Sequence, residues 1–562
     1  MSPFPLPWSD PRLPVQALVL VLFAGLAFVL PKLSRYHGDE KFYTDAAIRM
    51  VQTGDYWTPR YPDGTERFVK PVLTYWAIAG SYHLLGISYF SSRLPFLVAG
   101  CLIILGTYQL ARTFYGRSEP ATLAALIIAS NFQLLSLAIR STPDALLCLF
   151  ALLSGLGFAR ILFRGDRSFL AALLAYGGAG LAVQTKGLLG LCPVAIAWLF
   201  VGLYRRDRAT LRALLDWRAL LIGVGLALFW YGVVFGLHGD LVVREFFHDQ
   251  VTAKVAFNPV IGLGNLGSYA LAAVRHFLPW TLLVLVGLLL DRSVSFSFLR
   301  TRRQECGFLV GWFLLLAVAF SFGNMLRSRY LAASYPMLAV LLAGVIDEHL
   351  RTPRFQELCF RALRGVALVL GLFAVALAGV AARISPPAML GSLAVLVVAA
   401  GVYAVARFRK AQALGLAFAG ICAGGFLGVE LLWRPLFTGS PAPALAAKVL
   451  SLNPPVRTVY AWNPASSYPS QMRVVSGGRL EVRALWTDAG QGPPAGLSPV
   501  LLTEAQKEAW PATNYVFETA AFARPRWTSR DYRDLLWGPH PTEVLARKRV
   551  PFYLAVYQPP PR

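Results

Sequence analysis

Runs of apolar residues recur along the chain, among them 15–30, 170–183, 219–236, 308–322 and 366–381. Each approaches the roughly 20 residues that a helix needs to cross the hydrocarbon of a bilayer. In that medium an open chain satisfies its backbone only as helices or a closed barrel. The pattern predicts about thirteen transmembrane helices, near 15–33, 90–111, 118–137, 143–163, 169–184, 187–204, 218–236, 275–291, 306–322, 330–348, 362–381, 387–406 and 412–432. Arg12 precedes the first run and no small-residue cleavage site follows, which reads as a retained first helix. Two connections are long, 31–89 and 237–274, and their composition is that of ordered functional loops. Within the first, Ala46, Ala47, Met50 and Val51 fall at helical spacing and 71–85 is apolar and aromatic, so two interfacial helices are expected. Past residue 434 the pattern changes to Pro, charge and short alternating segments. Of these, 457–461, 471–475 and 552–557 read as strands.

The predicted fold is thus an all-α polytopic membrane domain over residues 1–433, with outer loops near 31–89 and 237–274, and a small C-terminal α/β extracytoplasmic domain over 434–562. Composition agrees: of 562 residues, 56% are hydrophobic and 15% charged, too apolar for a soluble chain of several domains. The formal net charge of +24 raises nucleic acid as a partner, but the basic residues form no stripe with interleaved aromatics. They mark alternate loops instead: Arg112 and Arg117; Arg160, Arg164 and Arg167; Arg205, Arg206, Arg208 and Arg212; Arg292, Arg300, Arg302 and Arg303; Arg351, Arg354, Arg361 and Arg364; Arg407, Arg409 and Lys410. By the positive-inside rule these loops are cytoplasmic. An odd number of spans then gives a cytoplasmic N-terminus and a C-terminal region on the outer side. Six Cys stand singly beside apolar segments, which suggests neither a disulfide framework nor a metal knot.

Polar motifs gather in the outer loops. His37-Gly38-Asp39-Glu40 follows the first span, with Tyr43 after it. Paired carboxylates at the mouth of a membrane cavity suit holding an acceptor hydroxyl or amine, or drawing its proton; an interfacial helix cap is the plainer reading. Arg67-Phe68-Val69-Lys70-Pro71 sets Lys70 ahead of an aromatic stretch, placed either to meet a lipid phosphate or to anchor the interface. Arg140-Ser141-Thr142-Pro143-Asp144 opens the fourth span. Its proline and acid are ordinary capping chemistry, yet an aspartate at membrane depth is costly unless it faces a polar cavity. Thr185-Lys186-Gly187 adds a lone outer cation. In the second long loop His248 and Asp249 are expected as cavity lining, with Lys254 beyond; no second His at ligand spacing supports a metal. Arg327, Arg329 and Tyr330 break the inside-positive pattern at the outer face, which fits an anionic partner or an anchor.

In order, Asp-Glu after the first span, Lys-Pro-x-Leu-x-Tyr-Trp, Arg-x-Thr-Pro-Asp-Ala-Leu, Thr-Lys-Gly and Arg-Tyr-Leu-x-x-x-Tyr-Pro resemble one superfamily, the GT-C membrane glycosyltransferases. Within it the chain is similar to the bacterial lipid A 4-amino-4-deoxy-L-arabinose transferases and the related protein O-mannosyltransferases. The motifs cover about residues 30–345. The resemblance implies a GT-C fold and transfer of a sugar from a polyprenyl-phosphate donor to an envelope glycolipid or protein among membrane lipids, with inversion, no obligatory metal or other cofactor, and no nucleic acid. It implies that Asp39, with Glu40 beside it, is the acidic group near the acceptor, and that Asp144 is the second acid. It implies that Lys70 contacts the donor phosphate, joined by Arg329 and Tyr330. One departure stands out: where the aminoarabinose transferases tend to end an acidic, His-containing run in Arg, this chain ends His248-Asp249-Gln250 in Lys254, which keeps the charge but loses the fork. Other classes to weigh are a lipid or sugar transporter and an envelope scaffold. A transporter commonly shows repeats and broken helices at the midplane, whereas these motifs lie in outer loops.

Overall fold

A computed structural model describes residues 13–32, 36, 38–247, 259–321, 327–382, 386–405, 420, 440–464, 467–487, 494, 496–510, 514–523, 531, 534, 543–544 and 547–558. The membrane part begins with α1 (Leu13–Val29), α2 (Glu40–Thr53), α3 (Leu73–Leu85), α4 (Tyr89–Tyr115), α5 (Ser118–Ala129), α6 (Phe132–Ala138) and α7 (Pro143–Arg164). It continues with α8 (Phe169–Lys186), α9 (Cys192–Leu199), α10 (Arg208–Leu214), α11 (Trp217–His238), α12 (Asp240–Phe247), α13 (Pro259–His276) and α14 (Trp280–Leu290). It closes with α15 (Arg292–Thr301), α16 (Arg303–Ser321), α17 (Tyr335–Leu350), α18 (Pro353–Ala382) and α19 (Pro386–Val405).

Among the described residues seven helices are long and apolar enough to cross a membrane, or nine if each of two bent pairs is one span. The chain is a multi-pass membrane protein. The bends explain why the sequence pattern reads smoothly where the backbone does not. α5 and α6 meet at 64°, where Asn131 caps α6 by accepting from Leu134 N at 3.0 Å and donates to the His276 carbonyl at 3.0 Å. That carbonyl belongs to the second corner, where the helix ending at His276 turns through 94° into α14. A single asparagine thus satisfies backbone groups at both breaks, as a helix interrupted at membrane depth requires. The stretch expected as two spans, 169–184 and 187–204, holds α8 and the short α9 with a 3₁₀ turn over Gly187–Leu191 between them, and counts as one candidate span, Phe169–Arg205, because no sharp bend or break divides it. The expected span at 412–432 lies outside the described residues.

Small residues let the central helices approach closely. A Cβ on Gly178 of α8 would stand 2.7 Å from Ser154 N of α7, and one on Gly180 would stand 2.4 Å from Gly223 O of α11. Backbone contact of this kind supplies helix association where lipid tails offer no hydrophobic contrast.

The two helices expected in the first long loop are present, as α2 and α3. The polar end of the chain holds α20 (Ala442–Leu450), α21 (Tyr468–Val475) and α22 (Glu504–Glu508) with five strands, β1 (Thr458–Trp462), β2 (Glu481–Leu485), β3 (Val500–Thr503), β4 (Tyr515–Ala523) and β5 (Val550–Tyr557). Their order is β2-β1-β3-β5-β4. β1 pairs in parallel with β2 and β3, and β5 pairs antiparallel with β3 and β4. Leu445, Val449, Val459, Met472 and Leu554 share one core here. Segment 471–475 is a helix, not the expected strand. Pro469 sits in its first turn, and burial on two sides overrides the alternation: Met472 enters the sheet's core while Val474 joins that of the membrane part.

Candidate active site

Two carboxylates reach the site from helix N-termini. Asp39 occupies the N-cap of α2 and Asp144 the first turn of α7, after Pro143, positions where the helix dipole favours negative charge. Between them stands Arg329, at the start of the 3₁₀ turn Ser328–Ser334 that leads into α17. It pairs with the Asp39 carboxylate, and its Nε lies 3.8 Å from Asp144 Oδ2. Arg327 Nη1 approaches Asp39 Oδ2 at 3.1 Å, and Lys186 Nζ, from the last turn of α8, meets Asp144 Oδ1 at 2.5 Å. Four sequence-distant segments therefore converge on one chain of charge. The Lys186 ammonium also sits 4.3 Å from the centre of the Tyr330 ring, a cation–π contact that strengthens when desolvated. Behind that ring pack the apolar side chains of Leu147, Ala151, Cys192, Trp312, Leu316 and Phe320, around a gap of about 10 Å³ that a single water would fill.

Among the described residues the cluster sets two carboxylates against three cations, Lys186, Arg327 and Arg329.

Glu40 points elsewhere. Its Oε2 accepts from Arg93 Nε at 3.1 Å and from the backbone N–H of Ser141 at 3.2 Å, and both charged side chains are essentially sealed, at 0% and 1% exposure. The geometry is that of a brace between α2, α4 and the loop before α7. Tyr43, one helical turn past Asp39, is buried with its ring 5.2 Å from that of Tyr75. Burial pushes its phenol well above the ordinary value, and neighbouring Tyr75 adds to the shift. It stays protonated at neutral pH and is available as a hydrogen-bond donor. Lys70 is half-buried in the turn leading to α3. His37, His248, Asp249 and Lys254 lie outside the described residues. Among the described residues no group of three or more His, Cys, Asp or Glu side chains is arranged to hold a metal.

The sequence reading passed over three residues. Arg93 is a charge inside an apolar span, which by itself signals a buried partner. Asp45 sits on the buried side of α2, where its Oδ2 meets Arg473 Nη1 of α21 at 2.9 Å and accepts from Ser470 Oγ at 2.6 Å. Arg67 is a buried guanidinium three residues before Lys70.

The profile of the dolichyl-phosphate-mannose-protein mannosyltransferase family matches residues 69–231. An uncharacterized protein of Aquifex aeolicus is 27% identical over 55% of this chain and 59% of its own. The undecaprenyl phosphate-alpha-4-amino-4-deoxy-L-arabinose arabinosyl transferase 2 of Proteus mirabilis is 27% identical over 58% of this chain and 59% of its own. The chain thus spans about three-fifths of the length of these curated relatives. The crystal structure of ArnT from Cupriavidus metallidurans bound to undecaprenyl phosphate superposes with a TM-score of 0.69 at 16% identity, covering 97% of both chains, which establishes a shared fold. In sequence and in fold, the chain is similar to the GT-C membrane glycosyltransferases, on the side of the lipid A aminoarabinose transferases and protein O-mannosyltransferases.

Proposed function

We propose that the protein transfers a sugar from a polyprenyl-phosphate donor to an envelope acceptor, a lipid A-like glycolipid or a protein, at the outer face of the inner membrane. The observation that carries this reading is the Asp39–Arg329–Asp144–Lys186 chain, with Arg327 on Asp39 and the Tyr330 ring against Lys186. Cations gathered at the ends of membrane helices suit a ligand with a phosphate head. The resemblance to enzymes named for undecaprenyl-phosphate donors supports the same ligand.

In this reading the acceptor oxygen forms a bond to the anomeric carbon as the bond from that carbon to the phosphate oxygen breaks. The electron pair leaves with the polyprenyl phosphate, whose charge Arg329, Lys186 and Lys70 hold, with Lys254 and the Tyr330 hydroxyl assisting. When the acceptor is a hydroxyl, its proton passes to Asp39. Asp144 keeps Lys186 charged and aimed, Glu40 braces α2, and Tyr43, His248 and Asp249 line the cavity. Most of the acceleration then comes from positioning and fixed charge. A single displacement inverts the anomeric centre and needs no metal or other cofactor.

We further assign about thirteen spans, with residues 1–433 as the membrane domain, 434–562 as the periplasmic domain and the N-terminus cytoplasmic. The supporting pattern is the alternation of arginine-rich loops.

The test is transfer by purified protein in detergent, without closed vesicles, from an undecaprenyl-phosphate sugar to lipid A or to a secreted protein extract. Activity lost in Asp39→Asn and in Lys186→Met, insensitive to chelator and giving the inverted product, is expected. Donor translocation in vesicles with no transfer in detergent would replace the enzyme by a transporter.

A further inference from the structure

Among the described residues no carboxylate serves as counter-ion to Arg67. Its side chain is 6% exposed. The guanidinium carbon lies 4.6, 5.1 and 5.9 Å from the ring centres of Phe42, Tyr61 and Tyr43, and Nη1 donates to the Tyr61 hydroxyl at 2.8 Å. Nε is buried with no hydrogen-bond partner, and the buried Tyr75 hydroxyl beside it closes no bond of normal geometry.

The nearby carboxylates are engaged elsewhere. Glu66 pairs with Arg60 at 2.5 Å, Asp63 accepts from Thr65 at 2.6 Å, and Asp39 and Asp144 hold the cations described above. Among the described residues no carboxylate forms an ion pair with Arg67. Burial pushes the Tyr43 and Tyr75 phenols up, so neither is a phenolate that offsets the charge at neutral pH.

A desolvated cation met, among the described residues, by aromatic faces and phenols is costly, and cation–π contacts offset part of that cost. Its place gives the cost a reason. Asp39 and Tyr43 are separated by one turn of α2 and share a face, so the guanidinium is one ring removed from the carboxylate cluster. The Nε edge of a guanidinium is also an edge that grips two oxygens of one anion at once.

We propose that Arg67, with the hydroxyls of Tyr43 and Tyr75, is a recognition subsite for a second anionic group on the glycosyl donor, beyond the single phosphate held near Lys186 and Arg329. That group is either a carboxylate on the sugar or a second phosphoryl group on the lipid. The proposal rests on the glycosyltransferase reading and names the class of donor it selects.

The experiment uses the full chain in detergent, as wild type, Arg67→Gln and Arg67→Lys. Transfer is measured from undecaprenyl-phosphate donors carrying a neutral hexose or a hexuronic acid. Binding of undecaprenyl phosphate and of undecaprenyl diphosphate is measured separately by calorimetry. A sugar carboxylate predicts that wild type prefers the uronosyl donor and that Arg67→Gln lowers kcat/KM for that donor alone, by roughly tenfold or more, as loss of one charge-assisted fork implies. A second phosphoryl group predicts that only the diphosphate loses affinity by that factor. Arg67→Lys, which keeps the charge without the fork, falls between and decides the matter should Arg67→Gln fail to fold. Equal effects on all ligands, or none, would overturn the subsite and leave Arg67 a packing residue. Wild-type protein that transfers from no donor, while Arg67→Gln still loses anion binding selectively, would overturn the enzyme reading and retain the subsite.

Discussion

The Glu40–Arg93 pair distinguishes a brace from a second catalytic acid. Both side chains are sealed from solvent and joined at 3.1 Å, so Glu40→Ala leaves a buried guanidinium without its counter-ion. Breaking such a pair on one side costs about 3–5 kcal/mol, whereas replacing both members by apolar groups of similar volume is often close to neutral. At about 2–4 °C per kcal/mol for a domain of moderate size, Glu40→Ala should lower the melting midpoint in detergent by on the order of ten degrees. The double variant Glu40→Met with Arg93→Met should recover most of that loss. Activity below the midpoint should follow the same order, with the double variant transferring sugar at a rate within about tenfold of wild type, since no proton moves through Glu40 in this scheme. The measurements are thermal unfolding by intrinsic fluorescence and initial rates at a temperature where every variant is folded. A double variant that melts like wild type yet is inactive would refute the reasoning, because Glu40 would then act on substrate and not on α2.

Two further outcomes follow from the packing and the charge chain. Lys186→Met removes the 2.5 Å partner of Asp144 and should raise the donor KM far more than it changes thermal stability, because Arg329 still lies 3.8 Å from the same carboxylate; steady-state kinetics against donor concentration check this. Gly178→Leu forces a side chain into Ser154 N, where even a Cβ would stand at 2.7 Å. Overpacking of about 1–3 kcal/mol or more should separate α8 from α7 and lower both the melting midpoint and the yield of folded protein on size-exclusion chromatography.

What was legible in the sequence divides along physical lines. Hydrophobic runs fix where helices lie, because burying a backbone in lipid allows few alternatives, and α4, α7, α11 and α16 fall where the pattern predicts them. The same runs conceal the bends at Asn131 and at His276–Trp280, since a break satisfied by one distant asparagine leaves local hydropathy unchanged. Asp39, Asp144, Lys186 and Arg329 stand out as charges at outer helix ends, and the structure brings all four together. Which charge faces which was not legible. Asp39 and Glu40 are adjacent in sequence but close on different arginines, because successive helical residues point about 100° apart. Arg93, Asp45 and Arg67 were passed over because each is meaningful only through a partner, or the lack of one, supplied by the fold. Segment 471–475 misled for the opposite reason: its alternation is genuine, but two cores claim its two sides.

α2 joins these observations. It carries three carboxylates, and each closes on an arginine from a different region: Asp39 on Arg327 and Arg329 before α17, Glu40 on Arg93 of α4, and Asp45 on Arg473 of α21. Gln52, in its last turn, donates to the Gly478 carbonyl at 2.9 Å. The polar C-terminal unit thus holds the helix that the candidate acid, Asp39, immediately precedes. Asp45 and Arg473 are themselves buried, with side chains 4% and 11% exposed, so Arg473→Met leaves an uncompensated carboxylate about two turns from Asp39. If the contact positions α2, Arg473→Met should lower kcat about tenfold or more through misplacement of Asp39, leave donor affinity nearly unchanged, and be partly restored by Arg473→Lys or by pairing Arg473→Met with Asp45→Leu. Those rates, set against donor binding measured by calorimetry, separate positioning from loss of fold. A variant with wild-type kcat and a lowered melting midpoint would reduce the contact to a structural clamp, with no influence on the geometry of the site.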